Sequence, residues 1–237
     1  MNHFFVILCL LFAGFIHGFT GFGYAMTAMA LLPLLLGMPE ALFIGAFFTL
    51  PVSAWLLWKF RDHYRWRDAW PLIVGAVAGT PMGLLLVEHI NRMLLLHSLG
   101  IVLIVFPLAD VVGLSRYVQP PDWTALPIGI ICGILGAAFN VSGPVAILYI
   151  YSRPWSREQM VATLQMLFLF NSGLRVLLTL PTGVVTPELA LLCAAALLPF
   201  LGVAMLGSRL AERVPHHRFR QVVLAAVMVM GVKYTLT

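Results

Sequence analysis

An all-α, polytopic membrane bundle is the fold class that this sequence predicts, and three observations predict it. Apolar residues make up 61% of the chain and charged residues only 10%, more apolar surface than one soluble core can bury. The apolar residues fall into eight long blocks separated by short stretches of at most about ten residues, so no soluble domain or linker is expected between them. The basic residues flank these blocks instead of forming an aromatic-interleaved patch. Despite a net charge of +5, that pattern excludes nucleic acid as a partner and makes the charges reporters of topology.

The first block, 4–36, opens with an apolar run that has no basic stretch before it and no small-residue cleavage site, so it reads as part of the membrane domain and not as a signal peptide. It is too long for one ordinary crossing and is interrupted by His17-Gly18-Phe19-Thr20-Gly21-Phe22-Gly23-Tyr24. Blocks 40–58, 69–88 and 93–114 are each near the length that one crossing needs. The fifth block, 123–151, is again too long and breaks at Gly136-Ala137-Ala138-Phe139-Asn140-Val141-Ser142-Gly143-Pro144. Glycine lowers helix propensity, Thr, Asn and Ser favour caps, and Pro144 suits the first turn of a new helix that Asn140 or Ser142 would cap. Blocks 159–180, 185–207 and 219–236 complete the set, with Pro33, Pro51, Pro71, Pro81, Pro107 and Pro199 expected to kink or end helices. Cys9, Cys132 and Cys193 are scattered through apolar runs and read as small buried residues, with no disulfide framework, metal cluster or cofactor implied.

Charge decides how the blocks cross, because cytoplasmic loops carry an excess of Lys and Arg. If every block crosses once, six basic residues fall on one side and seven on the other, which is no bias. If the first and fifth blocks are re-entrant, Lys59, Arg61, Arg65, Arg67, Arg116, Arg153, Arg157, Arg209, Arg213, Arg218 and Arg220 share one side and only Arg92 and Lys233 lie on the other. The expected topology is therefore six full spans and two hairpins dipping from opposite faces, with 61–68, 152–158 and 208–218 in the cytoplasm. A single membrane domain, 1–237, would then hold two inverted repeats, about 1–118 and about 119–237, each a hairpin followed by three spans. At one offset Gly14 meets Gly133 and Ser53 meets Ser172; at a second, Gly83, Leu86 and Glu88 meet Gly207, Leu210 and Glu212.

The Gly-rich break in the first block, Leu-Leu-Pro-Leu-Leu-Leu-Gly at 31–37, Arg65-Trp66-Arg67-Asp68 before a span with Gly79 and Gly83, and Gly207-Ser-Arg-Leu-Ala-Glu212 resemble the sulfite exporter TauE/SafE family over nearly the whole chain. Asn140-Val141-Ser142-Gly143-Pro144 replaces part of a glycine run of that family, and Tyr24 also departs from its pattern. The resemblance implies secondary transport of sulfite, an organosulfonate or a related small anion across a bacterial inner membrane, often outward. It implies no enzyme activity, and the chain offers neither H-E-x-x-H nor a G-x-S-x-G elbow. A passive anion channel, a membrane enzyme and an assembly factor are the competing readings.

In that setting the two breaks become the candidate site. Hairpin tips from opposite faces would meet near the midplane, where unsatisfied backbone N–H groups and the positive ends of helix dipoles attract an anion. The first tip offers His17, Thr20, Gly21, Gly23 and Tyr24, and the second Asn140, Ser142 and Gly143. The spans after the tips add Ser53 on one side and Gln165, Asn171, Ser172 and Arg175 on the other. Arg175 lies four residues after Asn171, on the same helical face, and would either pair with the anion or snorkel to the extracellular surface. Alternating access with protons as the coupling ion is expected, His17 being the group near the tips that titrates in the physiological range. The remaining partners are membrane lipid and a second copy in a homodimer.

Overall fold

A computed structural model describes the backbone of residues 3–20, 23–64, 66–113, 120–150, 152–211 and 216–236. Gly21, Arg65, Arg116, Glu212 and Arg213 lie outside the described residues, as do the side chains of Thr20, Arg92, Asp110, Arg157, Arg218 and Arg220. The described chain is helical throughout, without a strand: α1 (His3–Thr20), α2 (Tyr24–Leu31), α3 (Met38–Lys59), α4 (Trp66–His89), α5 (Arg92–Val112), α6 (Ala125–Phe139), α7 (Gly143–Ile150), α8 (Arg157–Thr179), α9 (Pro187–Ala211) and α10 (His216–Leu236). Each long block has become two helices, and each ordinary block one.

The local reasons differ between the two breaks. Asn140 adopts the left-handed conformation, φ 60, and closes α6. Its N–H bonds to the Gly136 carbonyl at 2.9 Å, and the Val141 N–H bonds to Leu135 at 3.3 Å. Asparagine tolerates this region because its short amide can satisfy local backbone groups. Asn140 therefore ends the first arm and does not start the second. The Ser142 carbonyl accepts the Ala146 N–H at 3.2 Å as α7 begins, with Pro144 in its first turn as the sequence predicts. Of the prolines expected to kink or end helices, Pro33 falls in the short turn after α2, whereas Pro51, Pro71, Pro81, Pro107 and Pro199 sit inside α3, α4, α5 and α9. A capping box at Ser156 and Gln159 starts α8.

Among the described residues, five helical stretches are long and apolar enough to cross a membrane: Met38–Lys59, Trp66–His89, Asp122–Phe139, Glu158–Thr182 and Pro187–Leu210. The third of these contains α6, which was expected to be a hairpin arm. Length and apolarity are the same for a crossing and for a long arm, and contacts separate the two. The Arg153 guanidinium, between α7 and α8, pairs with Asp122 just before α6, donates to the Pro120 carbonyl at 2.9 Å and lies over the Tyr149 ring at 4.2 Å. The fifth block therefore begins and ends on one face. Asn171 Nδ2 donates to the Cys132 carbonyl at 3.1 Å and Arg175 reaches the Gly136 carbonyl at 3.4 Å, so α6 and α8 run side by side in the same direction and α7 turns back between them. In the first block α2 packs on α1, and Ala28 and Leu32 share a buried cluster with Val6 and Leu10.

Small residues seat each long arm on a span from the other half of the chain. A Cβ on Gly75, Gly79 or Gly83 of α4 would strike the carbonyl of Leu126, Ile130 or Ile134 of α6, and one on Gly129 or Gly133 would strike Leu72 or Ala76. The backbones touch, as in small-xxx-small packing within bilayers. On the other side of the bundle, Gly14 of α1 faces the Phe200 ring of α9, Gly18 faces the Ala204 carbonyl, and Gly207 faces the Phe15 carbonyl. The spans α3 and α8 pack on each other, and α5 meets α10 at Gly100 and Gly231. Trp58, Trp66 and Trp70 are exposed beside Lys59 and Arg61, with Arg61 over the Trp58 ring at 5.6 Å, the usual furnishing of a membrane interface.

Candidate functional site

The two breaks and the two central spans enclose one cavity. It is lined by His17 at the end of α1, Tyr24, Ala25 and Met26 at the start of α2, and Thr49 about halfway along α3. Gly136, the segment Asn140–Pro144, and Phe168, Asn171 and Ser172 of α8 complete the wall. The first residues of both short helices, α2 and α7, thus face the same space, and their N-terminal dipole ends favour negative charge there.

Each polar side chain is held by a particular contact. Asn171 joins three helices: its amide N–H binds the Cys132 carbonyl of α6, and its oxygen lies 3.3 Å from the Thr80 hydroxyl of α4. Gly136 makes room for that amide, because a Cβ there would collide with Asn171 Nδ2. Asn140 reaches the Leu42 carbonyl of α3 at 3.4 Å, and Gly45 leaves space for it. The Tyr24 hydroxyl donates to the Ile44 carbonyl at 3.3 Å, and its ring packs edge-on against Phe200 with centroids 5.3 Å apart. Thr49 donates to the Gly45 carbonyl at 2.8 Å.

Two groups stand out electrostatically. His17 is 2% exposed, neither ring nitrogen makes a hydrogen bond among the described residues, and its ring lies edge-on to Tyr24 at 6.1 Å. Arg175 is 3% exposed and touches only the Gly136 carbonyl, with Nε unpaired and no carboxylate partner among the described residues. Arg175 has turned inward and does not snorkel. It stands directly behind the cavity wall that Gly136 and Asn171 form. A buried cation without a counter-charge costs several kcal/mol, roughly the penalty of breaking a buried pair, unless an anion approaches it.

Of the residues expected from sequence, His17, Tyr24, Asn140, Ser142, Gly143, Asn171 and Ser172 come together on the cavity. Gly23 is buried one position before the lining, and Arg175 lies behind it. Ser53 and Gln165 are buried on α3 and α8 but do not line the cavity. Ser53 is one turn beyond Thr49, and Gln165 one turn before Phe168, on the matching helix faces. Gly21 and the Thr20 side chain lie outside the described residues. Sequence reasoning missed Ala25, Met26, Thr49, Gly136, Val141, Pro144 and Phe168. Thr49, four residues before Ser53, was legible as its helical neighbour; Met26 and Phe168 look like any other apolar wall. Among the described residues no group of three His, Cys, Asp or Glu side chains could hold a metal ion.

Comparison with known proteins adds a second line. The pattern of the family described as sulfite exporter TauE/SafE matches residues 6–234. A protein of Cupriavidus necator described as a probable sulfite/organosulfonate exporter TauE is 26% identical over 229 residues, covering 92% of this chain and 87% of its own length. No solved structure matches.

Proposed function

We propose that this chain, which belongs to the sulfite exporter TauE/SafE family, exports sulfite or an organosulfonate by binding its oxyanion in the cavity between the two helix breaks. The family is one of membrane exporters and not of enzymes. The observation that carries the site is the meeting of two breaks, one from each half of the chain, at one cavity backed by a buried arginine with no carboxylate partner among the described residues. A three-oxygen head group needs several donors; Ser142, Ser172 and the first amides of α2 and α7 supply neutral ones, and Arg175 supplies charge. Tyr24, Met26 and Phe168 form the apolar part of the wall against which the small organic group of a sulfonate would rest.

The two halves are read as inverted repeats working by alternating access, in the membrane plane of a bacterial inner membrane. What supports this is the equivalence of the seams. Gly83 and Gly207, matched in the sequence comparison of the halves, each accept a backbone carbonyl of a break-bearing helix, Ile134 and Phe15. Protons are the proposed coupling ion and His17 their carrier; the proposed partners are lipid and a second copy of the chain.

Transport of radiolabelled sulfite and methanesulfonate by the purified protein in proteoliposomes tests the reading. Saturable counterflow is expected, and Arg175→Ala, corrected for correctly inserted protein, should raise the apparent KM at least about tenfold, the scale of a charged hydrogen bond. Unchanged apparent affinity would remove Arg175 from the site. Unitary channel currents in place of counterflow would replace the carrier by a pore.

A further inference from the structure

Arg175 and His17 approach the cavity from different helices, and their combination has a consequence for the charge of the cargo. This inference rests on the reading that the cavity binds the transported anion. Arg175 is the buried cation behind the Gly136 wall of the cavity; among the described residues that line the cavity there is no Asp, Glu, Lys or Arg. A monovalent oxyanion next to Arg175 gives a neutral complex. A divalent one leaves a net negative charge inside the bundle, where low dielectric makes it expensive and neutral hydroxyl and amide donors spread the charge without cancelling it.

The group able to supply a second positive charge is His17. It lines the cavity, is buried, and keeps both ring nitrogens free of hydrogen bonds among the described residues. Its surroundings do not compete for the proton. The Tyr24 ring of α2 packs edge-on at 6.1 Å, with its hydroxyl committed to the Ile44 carbonyl. From α9, Phe200 and Ala204 pack on the neighbouring turns of α1 at Gly14 and Gly18, and Cys193 shares the same cluster with Tyr24. Thr49 of α3 is committed to the Gly45 carbonyl. Arg175 of α8 reaches the cavity wall at the Gly136 carbonyl and does not line the cavity itself.

We propose that the site matches its cargo charge for charge: Arg175 neutralises a monovalent oxyanion, and His17 takes up one proton only when the bound anion carries a second charge. The proton comes from water as the dianion enters, converts the imidazole to imidazolium with a second N–H to donate, and leaves when the dianion leaves. Proton coupling is then a property of the substrate's valence and not a fixed feature of the cycle.

The test is calorimetric titration of the purified full-length protein with methanesulfonate and with sulfate. These are tetrahedral oxyanions of similar size, charges −1 and −2, and neither titrates across the histidine range of about pH 5 to 8. Sulfate affinity should rise by up to about tenfold for each pH unit lowered, the slope of one linked proton, while methanesulfonate affinity stays flat. Repeating the titrations in buffers of different ionisation enthalpy should count one proton taken up per sulfate and none per methanesulfonate. His17→Gln should abolish the sulfate slope, and a slope that survives overturns the role of His17. The proton count on the unaltered protein stands even where that variant fails to fold. Equal pH response for both anions, or none for either, overturns the charge-matching inference and leaves the anion site standing. Failure of both anions to bind at any pH overturns the anion-site reading and this inference with it.

Discussion

Single residues in this protein do two jobs at once, and Asn171 shows it best. Its amide links α8 to Cys132 of α6 and to Thr80 of α4, and it also lines the cavity. Asn171→Leu should therefore cost about 1 kcal/mol for each interhelical bond lost, read from SDS-induced unfolding, and weaken anion binding beyond that loss. Full-strength binding in a destabilised variant would reduce Asn171 to a brace. Sequence spacing was enough to put Asn171, Ser172 and Arg175 on the list of candidates, because buried polar groups in a bilayer are rare and expensive. It was not enough to choose between the two orientations of Arg175, since an arginine four residues from the end of α8 has a stem long enough for either. The outcome depended on Gly136, whose buried carbonyl accepts from the guanidinium as well as from the Asn140 N–H.

Elements are positioned by glycine. The contact of α4 with α6 runs through Gly75, Gly79 and Gly83 on one side and Gly129 and Gly133 on the other, each against a backbone atom that cannot move aside as a side-chain tip can. Gly79→Leu should push α6 away from α4, cost about 1–3 kcal/mol in unfolding measurements, and displace Asn171 and Gly136 at the cavity. Gly202, where an added Cβ meets nothing within 4 Å, serves as the control: Gly202→Ala should leave stability unchanged or slightly raised. The base of the second hairpin is held differently, by Arg153 on Asp122 and Pro120. Asp122 is almost fully exposed, so this tie counts for position more than for stability. The glycine spacing was visible in the sequence, but its partner was not. A stripe of small residues states that something comes close without stating what, and the approach of α6 to α4 is a contact between distant parts of the chain.

At the scale of the molecule, the proposed topology of two inverted hairpins would place Ser152 and Gly37 on opposite faces of the membrane. Cysteines introduced at Ser152 and Gly37, on a background with Cys9, Cys132 and Cys193 replaced, should react with an impermeant thiol reagent from the cytoplasmic side only and from the outside only, respectively. Labelling of both from one side would restore single crossings for the two long blocks. The bundle, its eight hydrophobic blocks, the two breaks and half of the residues around the cavity were legible in the sequence alone. Each follows from a local property: apolar length against bilayer thickness, and glycine and proline against helix continuity. Three things were decided only by the tertiary structure. Long-range packing made α6 an arm seated on α4, brought the first-half residues His17 and Thr49 against Ser142 and Ser172 of the second half, and turned Arg175 inward. The physical reason is common to all three, for a backbone carbonyl that accepts a neighbour and a glycine that admits one are meaningful only once the two segments are side by side.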